Sequence, residues 1–250
     1  MDYSSKILET CLLAGRLMIE AGSEMYRVED TMLRIANNAH ADDPRVFATP
    51  TAVFMSLDGG KLSKLVQIQD RGINLELVDR VNTLSRKFAQ SEITVDQLYD
   101  AIKEVYKTPS YPMKWQLVGA GVLSATLMVM FTNSYDWLSL PIAGIVGVIG
   151  YWAYMMIQRI TNLRFISELV SASLMTLLTY GFQHIFPAIS IDHVLIGALM
   201  TLVPGVPLTN ALRDMFLGDL LSGVVRLMEA SLTAMSLCAG VVIIMRFLGA

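Results

Sequence analysis

The first part of the chain has the hydrophobic periodicity of four amphipathic helices. Apolar positions at three- and four-residue spacing predict a first helix that ends at Gly22 and a second that begins after a Ser23 cap. Asn74 can begin a third helix. Thr94 and Gln97 have the spacing of a capping box, which predicts a last helix immediately after them.

Strand patterns lie between the second and third of these helices. Residues 45–57 are rich in Val, Phe and Thr, and the alternating stretch 65–69 follows an Asp58-Gly59-Gly60 turn, so we predict a hairpin. Pro50 makes the first strand an edge strand or a broken one. Helices and hairpin together predict a compact α+β domain over residues 1–112.

The second part of the chain is a series of apolar segments of membrane-spanning length. The fourth segment is too short on its own and needs its continuation past Pro207 to approach the roughly 20 residues that cross a bilayer. The predicted fold is therefore an α+β cytoplasmic domain followed, over residues 113–250, by an all-α membrane domain of five transmembrane helices with a Pro/Gly-broken fourth helix. The five segments are approximately 115–131, 137–157, 166–186, 193–203 and 220–248.

Charge separates the same two parts. Hydrophobic residues make up 54% of the 250 residues and charged residues 16%. Before residue 113 there are 13 Lys and Arg and 16 Asp and Glu, and after it there are six of each. The net charge of -3 thus belongs to the first part and does not suggest a nucleic-acid partner. Cys11 and Cys238 fall one in each part, which argues against a disulfide scaffold, and the N-terminus lacks the apolar core of a cleavable signal.

The loops between the apolar segments predict an orientation. Loops 132–136 and 183–192 contain no Lys or Arg, whereas positive charge occurs before the first segment, in the second loop and after the broken segment. We therefore expect a multi-pass protein of the cell (cytoplasmic) membrane with its N-terminal domain in the cytoplasm and its C-terminus outside. Arg246 is a single exception, and the residues that follow the rule are Lys107, Lys114, Arg159, Arg164 and Arg213.

The interruption of the fourth segment is the strongest candidate for a functional site. Pro204, Gly205 and Pro207 stop a helix, and Thr209 and Asn210 are residue types that cap a new one. In lipid, a broken helix persists only where protein or a water-filled cavity satisfies its backbone. Broken helices at membrane depth hold small polar solutes in many transporters, so we interpret this segment as a transport site.

Ionisable residues within the apolar segments extend this candidate. A polar stripe on the fifth segment must face protein or water, because lipid-facing charge costs about 2.5–3.5 kcal/mol per group. One alternative is an internal ion pair of Arg226 with Glu229 that only joins helices, and another places Asp214 and Asp219 at a solvated cytoplasmic mouth. The candidate substrate and proton pathway comprises Pro204, Gly205, Pro207, Thr209, Asn210, Asp214, Asp219, Ser222, Arg226, Glu229 and Glu168.

Two polar groups in the first part have weaker claims. One helix face bears Glu24, Arg27, Thr31 and Arg34, which either docks a ligand or a neighbouring domain or is a solvated face with weak ion pairs. His40 beside two aspartates is more typical of a helix end and turn than of a metal site. The sequence contains no nucleophile–base motif, phosphate-binding loop or zinc spacing, so we expect no catalytic residue, metal or cofactor.

Three segments carry a recognisable pattern, LVPGVPLTNALRDMFLGDLLSGVVRLMEA at residues 202–230, AGSEMYRVEDTMLRIA at 21–36 and TPTAVFMSL at 49–57. Together they resemble the threonine/serine exporter family. The resemblance implies a secondary exporter of small hydroxy amino acids driven by the proton motive force, with about ten spans in complete members. With five predicted spans, the chain looks like the larger subunit of the split branch, which is associated with export of dicarboxylates such as succinate. A separate small membrane protein would then supply the second half.

Three functions follow as hypotheses. In the first, a proton-coupled exporter holds a substrate carboxylate at Thr209, Asn210 and nearby amides, with Arg226 as charge partner, while Asp214, Asp219 or Glu168 exchanges protons. The second is a membrane-tethered hydrolase-like enzyme, and the third is a non-transporting scaffold or regulator. The second lacks a nucleophile with a base, and the third does not explain the proline break, so we expect a hetero- or homo-oligomeric transporter rather than an enzyme.

Overall fold

The computed structural model describes residues 2–69, 71–107, 111–133, 135–161 and 163–249. The chain divides into two compact units, one of Met1–Ser110 with Val206–Leu227 and the other of Tyr111–Gly205 with Met228–Ala250. The described helices are α1 Tyr3–Glu20, α2 Met25–Asn38, α3 Leu75–Ala89, α4 Val95–Lys107, α5 Met113–Thr132, α6 Ser139–Thr161, α7 Arg164–Ile185, α8 Ile191–Leu199, α9 Gly205–Phe216 and α10 Leu220–Leu248. The strands are β1 Arg45–Ala48, β2 Ala52–Leu57 and β3 Leu62–Gln67.

The capping signals placed the helices of the first unit well. The Asn74 side chain accepts a hydrogen bond from Leu77 N at 3.1 Å and begins α3. Gln97 N donates to Thr94 Oγ1 at 3.3 Å and Thr94 N donates to Gln97 Oε1 at 2.9 Å, which confirms the capping box before α4. The prediction for α2 was wrong by one residue, because Glu24 rather than Ser23 occupies its cap position.

The strands form a small antiparallel sheet in the order β1-β2-β3. Phe47 pairs with Phe54, and Val53 pairs with Val66. The stretch predicted as one strand with a break is two strands, since Thr49 N bonds to Ala52 O at 2.8 Å and turns the chain beside Pro50. The core of the first unit is formed by buried side chains of α1, α2, α3, α4 and β2, including Cys11, Met18, Met32, Met55, Val81, Leu98 and Ile102.

The second unit is a bundle of α5, α6, α7 and α8 with the part of α10 that begins at Met228. Its buried centre includes Met128, Val146, Met175 and Val194. The helices approach closely at glycines. At Gly197 on α8, an added Cβ would lie 2.5 Å from a backbone oxygen of α5, so this crossing requires glycine.

The predicted fold class was wrong. The described residues contain four helices long and apolar enough to cross a bilayer, α5, α6, α7 and α10, rather than five. α8 has only 9 residues, about 13 Å of helix, and α9 packs with the first unit instead of completing a fourth span. The sheet is also too small to define an α+β domain, with only 16 residues in its strands, 4 in β1 and 6 each in β2 and β3.

The physical reason is that α9, although apolar in composition, buries a charged side chain inside the first unit. Its buried positions are Ala211 and Asp214, and only the second of these is charged. The two-domain division at residues 112 and 113 stays a prediction. Residues 108–110 of that boundary, and Ser134 in the predicted loop 132–136, lie outside the described residues.

Candidate functional site

The helix interruption lies before Pro207. α8 ends at Leu199, α9 begins at Gly205, and Pro207 stands in the first turn of α9, where an absent amide costs no helical hydrogen bond. Thr209 and Asn210 therefore lie inside α9, and the prediction that they cap it was wrong. The Thr209 hydroxyl donates to Val206 O at 3.0 Å within the same helix.

In the first unit, the segment 202–230 supplies the charged residues that cap α2. Asp214 Oδ1 accepts a hydrogen bond from Met25 N at 3.3 Å, at the N-terminus of α2, where the helix dipole favours a carboxylate. Arg226 Nη1 lies 3.2 Å from Asp214 Oδ2, and Arg226 Nη2 donates to Ser23 O at 2.5 Å. We call Ser23, Glu24, Met25, Asp214 and Arg226 the α2 cap cluster.

The central pair of this cluster is buried. Asp214 has no exposed surface and Arg226 is 8% exposed. Burial raises the pKa of Asp214, and the Arg226 guanidinium and the Met25 amide oppose that rise. Asp214 is thus a buried carboxyl group whose ionisation depends on its contact with Arg226, and its role in proton exchange stays a prediction.

The edge of the α2 cap cluster is more exposed. Arg213 forms an ion pair with Glu24, and its side chain is 56% exposed. Asn210 Nδ2 donates to Gly22 O at 3.1 Å, and Gly22 has the positive φ of 83° that ends α1 in a tight turn. Ser222 Oγ lies 3.5 Å from Ala48 O.

The polar face predicted on α2 is divided among three environments. Glu24 meets Arg213, and Arg27 lies 3.5 Å from Glu24. The Thr31 hydroxyl faces α3 and donates to Asn82 Oδ1 at 3.1 Å. Arg34 forms an ion pair with Asp30 on the exposed surface of α2, where an ion pair contributes little to stability.

In the second unit, a second cluster joins α7 to α10. Arg164 Nη1 lies 2.5 Å from Glu229 Oε1, and Arg164 Nε lies 3.6 Å from Glu168 Oε1. The Thr233 hydroxyl donates to the same Glu168 oxygen at 3.1 Å. We call these four residues the Arg164 cluster. Glu229 thus pairs with Arg164, and Arg226 pairs with Asp214.

The pathway residues are consequently distributed between the units. The structure brings together Asn210, Asp214, Ser222 and Arg226 in the first unit. It brings Glu168 and Glu229 together in the second, each within reach of Arg164. Asp219 is half-buried before the start of α10, and its backbone amide donates to Asp214 O at 2.9 Å. The remaining pathway residues are Pro204 and Gly205 at the interruption and Pro207 and Thr209 in α9.

Two charged residues with partners in the structure were not predicted as site residues from the sequence. The loop pattern assigns Arg164 only to the positive-inside bias, although its spacing of four residues from Glu168 is a signal for an ion pair on one helix face. Asp136 caps α6 by accepting hydrogen bonds from the backbone and hydroxyl of Ser139, and His193 Nδ1 lies 3.6 Å away. The Ser139 hydroxyl is the main cause that lowers the pKa of Asp136.

No group of three or more His, Cys, Asp or Glu side chains within the described parts of the chain could hold a metal ion. An open cavity of about 780 Å³ in the second unit is lined by Tyr180, His184 and Leu248 among others. Its lining contains none of the predicted pathway residues.

Comparisons with known proteins agree over nearly the whole chain. The sequence profile of the family described as "Putative threonine/serine exporter" matches residues 9–248. A "Probable succinate transporter subunit YjjP" of Klebsiella aerogenes is 24% identical over 97% of this chain and 94% of its own length. The protein of that name in Escherichia coli is 23% identical over 99% of this chain and 97% of its own length. A "Probable threonine/serine exporter" of Mycobacterium tuberculosis is 20% identical over 98% of this chain and 46% of its own length. No solved structure matches the chain.

Proposed function

The chain belongs to the family of threonine/serine exporters, and from this premise we propose that it is a subunit of a secondary-active, proton-coupled exporter. The exported solute is a small polar metabolite, either threonine or serine or a dicarboxylate such as succinate. The family and the named relatives are transporters and not enzymes, so the hydrolase hypothesis has no support.

The observation that best supports transport is the Arg164 cluster. Two carboxylates lie within α7 and α10, which are both long and apolar enough to span a bilayer, and the Arg164 guanidinium at the start of α7 faces both of them. Ionisable groups at such positions are costly to insert, and they usually mark the route of a solute or a proton. A helix used only as an anchor does not need them.

We propose the following roles within the pathway. Arg226 binds a substrate carboxylate, and it can do so only when its contact with Asp214 or with Ser23 O opens. Asp214, Asp219 or Glu168 exchanges protons with the solution. The proposed pathway residues remain those predicted from the sequence, Pro204, Gly205, Pro207, Thr209, Asn210, Asp214, Asp219, Ser222, Arg226, Glu229 and Glu168.

We further propose a two-component carrier. Two relatives of nearly the same length are named as subunits, and the chain spans about half the length of the mycobacterial relative, with 46% covered. A small membrane protein would supply the second half, and transport would be a rocking motion between the halves.

The proposed orientation keeps the N-terminal domain in the cytoplasm and the C-terminus outside. The four described spans alone would return the C-terminus to the side of the N-terminal domain, so the side on which the C-terminus lies is the decisive test of this orientation. Cysteines at Asn133 and Leu248, in a variant without the native cysteines, should react with an impermeant thiol reagent in intact cells. A cysteine at exposed Glu92 should react only after permeabilisation. Labelling of position 248 only after permeabilisation would contradict the orientation.

Efflux of labelled threonine, serine and succinate from cells of the native host tests the function. Cells that lack the chain should retain at least one of these solutes, and restoring the chain should restore efflux. Asp214→Asn and Asp219→Asn should reduce efflux or alter its pH dependence, whereas Asp30→Asn, on the exposed face of α2, should not. Equal efflux of all three solutes with and without the chain would refute export of these substrates. Unchanged efflux and pH dependence in both pathway variants would refute the proton role of these two carboxylates.

A further inference from the structure

One guanidinium serves two carboxylates in the Arg164 cluster. Arg164 is 2.5 Å from Glu229 on α10 but 3.6 Å from Glu168, one turn along its own helix. The closer contact has hydrogen-bond length and the longer one does not. Tyr154 on α6 also faces Arg164 and Glu168. Arg164 therefore forms its hydrogen-bonded ion pair with Glu229, and the negative charge of Glu168 is the less neutralised of the two.

Glu168 also has an unsatisfied oxygen. Its side chain is 3% exposed, Oε1 accepts from Thr233, and Oε2 is buried without a hydrogen-bond partner. Ser171, one turn further along the same face of α7, has no exposed surface and its hydroxyl is also unpartnered. Buried polar atoms are rarely left unpaired, so the two orphan oxygens on adjacent turns point to a missing small ligand.

A proton is the ligand that fits these observations. Bound to Oε2, it removes the charge that Arg164 does not neutralise, and it turns an orphan acceptor into a donor. A metal cation would instead have to share the site with the guanidinium 3.6 Å from the other carboxyl oxygen.

We propose that Glu168 binds the proton that drives export and that Arg164 is its switch. This rests on the proposed function and selects one residue from the three candidates named there. With the proton on Oε2, Arg164 pairs with Glu229, as in the structure. When the proton leaves, the Glu168 carboxylate draws Arg164 away from Glu229 and loosens the contact between α7 and α10. The balance is one proton bound and one released per cycle at a single carboxyl group.

Transport in membrane vesicles of the native host separates this inference from the proposed function. Wild type should show both exchange of labelled succinate or threonine and net movement driven by an imposed pH gradient. Glu168→Gln imitates the protonated residue, so exchange should stay within about twofold while gradient-driven movement falls at least tenfold. Glu92→Gln, an exposed control, should change neither. Wild-type vesicles without either activity would refute the proposed function. Gradient-driven transport that persists in Glu168→Gln would overturn only the Glu168 assignment.

A spectroscopic measurement covers the case in which Glu168→Gln loses all transport. In pH-difference infrared spectra of the purified full chain in lipid, wild type should show the C=O band of a protonated carboxylic acid. That band should lose intensity in Glu168→Gln and remain in Glu92→Gln. An unchanged band in Glu168→Gln would overturn the assignment whatever the transport result.

A hydroxyl variant gives a test that keeps the carboxyl group. The Thr233 hydroxyl donates to Glu168, which favours the ionised form. Thr233→Val should therefore move the midpoint of pH-dependent transport upward, by on the order of one pH unit. Ser236→Ala is the matched control, because that hydroxyl bonds to its own helix at Leu232 O. Equal midpoints in wild type and Thr233→Val would contradict the assignment.

Discussion

Replacing Arg226 by Met should destabilise the first unit strongly. The change leaves the Asp214 carboxylate buried without its guanidinium and removes the hydrogen bond to Ser23 O. Because Asp214 has no exposed surface and Arg226 is 8% exposed, the pair belongs with buried ion pairs rather than surface ones. Removing one partner of a buried pair costs about 3–5 kcal/mol.

The neighbouring pair in the same cluster gives a matched control. The Arg213 side chain is 56% exposed, so its ion pair with Glu24 is largely solvated. Such pairs contribute about 0–1 kcal/mol. Arg213→Met should therefore change the opening equilibrium less than about sixfold, whereas Arg226→Met should change it by roughly two to four orders of magnitude.

Cys11 is a natural reporter for this measurement. It has no exposed surface in the core of the first unit, and burial raises the pKa of its thiol, so it reacts only when the unit opens. In a Cys238→Ala background, the alkylation rate of Cys11, normalised to a free thiol, reports the opening free energy. We expect the rate to rise in Arg226→Met by the factor given above.

The ionisation of Asp214 makes the stability of the first unit depend on pH. Since the folded protein raises the pKa of Asp214, its neutral form fits the folded state better, and this contribution is present at low pH and lost as pH rises through that pKa. Arg226→Met should thus be rescued by acid. Combining it with Asp214→Asn removes both charges and should cost less than Arg226→Met alone. Equal rates in Arg226→Met and Arg213→Met, or a double variant as unstable as the sum of the two single ones, would refute the assignment of a coupled buried pair.

Three further predictions concern the fold. Gly197→Ala should lower the yield of monodisperse protein in detergent and its melting temperature, because its Cβ would meet a backbone oxygen of α5 at 2.5 Å, whereas Gly119→Ala, with no atom within 4 Å, should not. Glu29→Gln keeps the acceptor for Ala48 N but removes a carboxyl group whose pKa is raised by burial. The melting temperature of the variant should therefore fall less than that of wild type as the pH rises above about 4.5. Parallel curves of melting temperature against pH would contradict this. Thr94→Ala should cost about 1 kcal/mol in urea unfolding, and an unchanged midpoint would show that the capping box is dispensable.

Local signals predicted the helices of the first unit, because caps and amphipathic stripes act over three or four residues. The Asn74 cap and the Thr94 capping box gave the starts of α3 and α4. The same reasoning failed at α9. Its apolar composition is compatible with a membrane span, and the contacts of Asn210, Arg213 and Asp214 with residues far away in the chain assign it to the first unit.

The candidate site shows the same limit. Periodicity placed Glu229 and Arg226 one turn apart and suggested a pair between them, but it could not show which other helices supply charge partners. Arg226 meets Asp214 on α9, and Glu229 meets Arg164 on α7. Such partners are set by tertiary packing, which a single sequence records only indirectly.

The cap of α2 by Asp214 has a consequence for biosynthesis. The two bonded residues are 189 positions apart, and residues 111–205 of the other unit are translated between the two parts of the first. At about 5–20 residues per second, the ribosome needs roughly 5–20 s to make this insert. During that interval the nascent N-terminal part lacks α9 and the start of α10. The Met25 amide and the Ser23 carbonyl therefore form hydrogen bonds with water or with a chaperone instead. Synthesis of α5 to α8 thus precedes completion of the first unit.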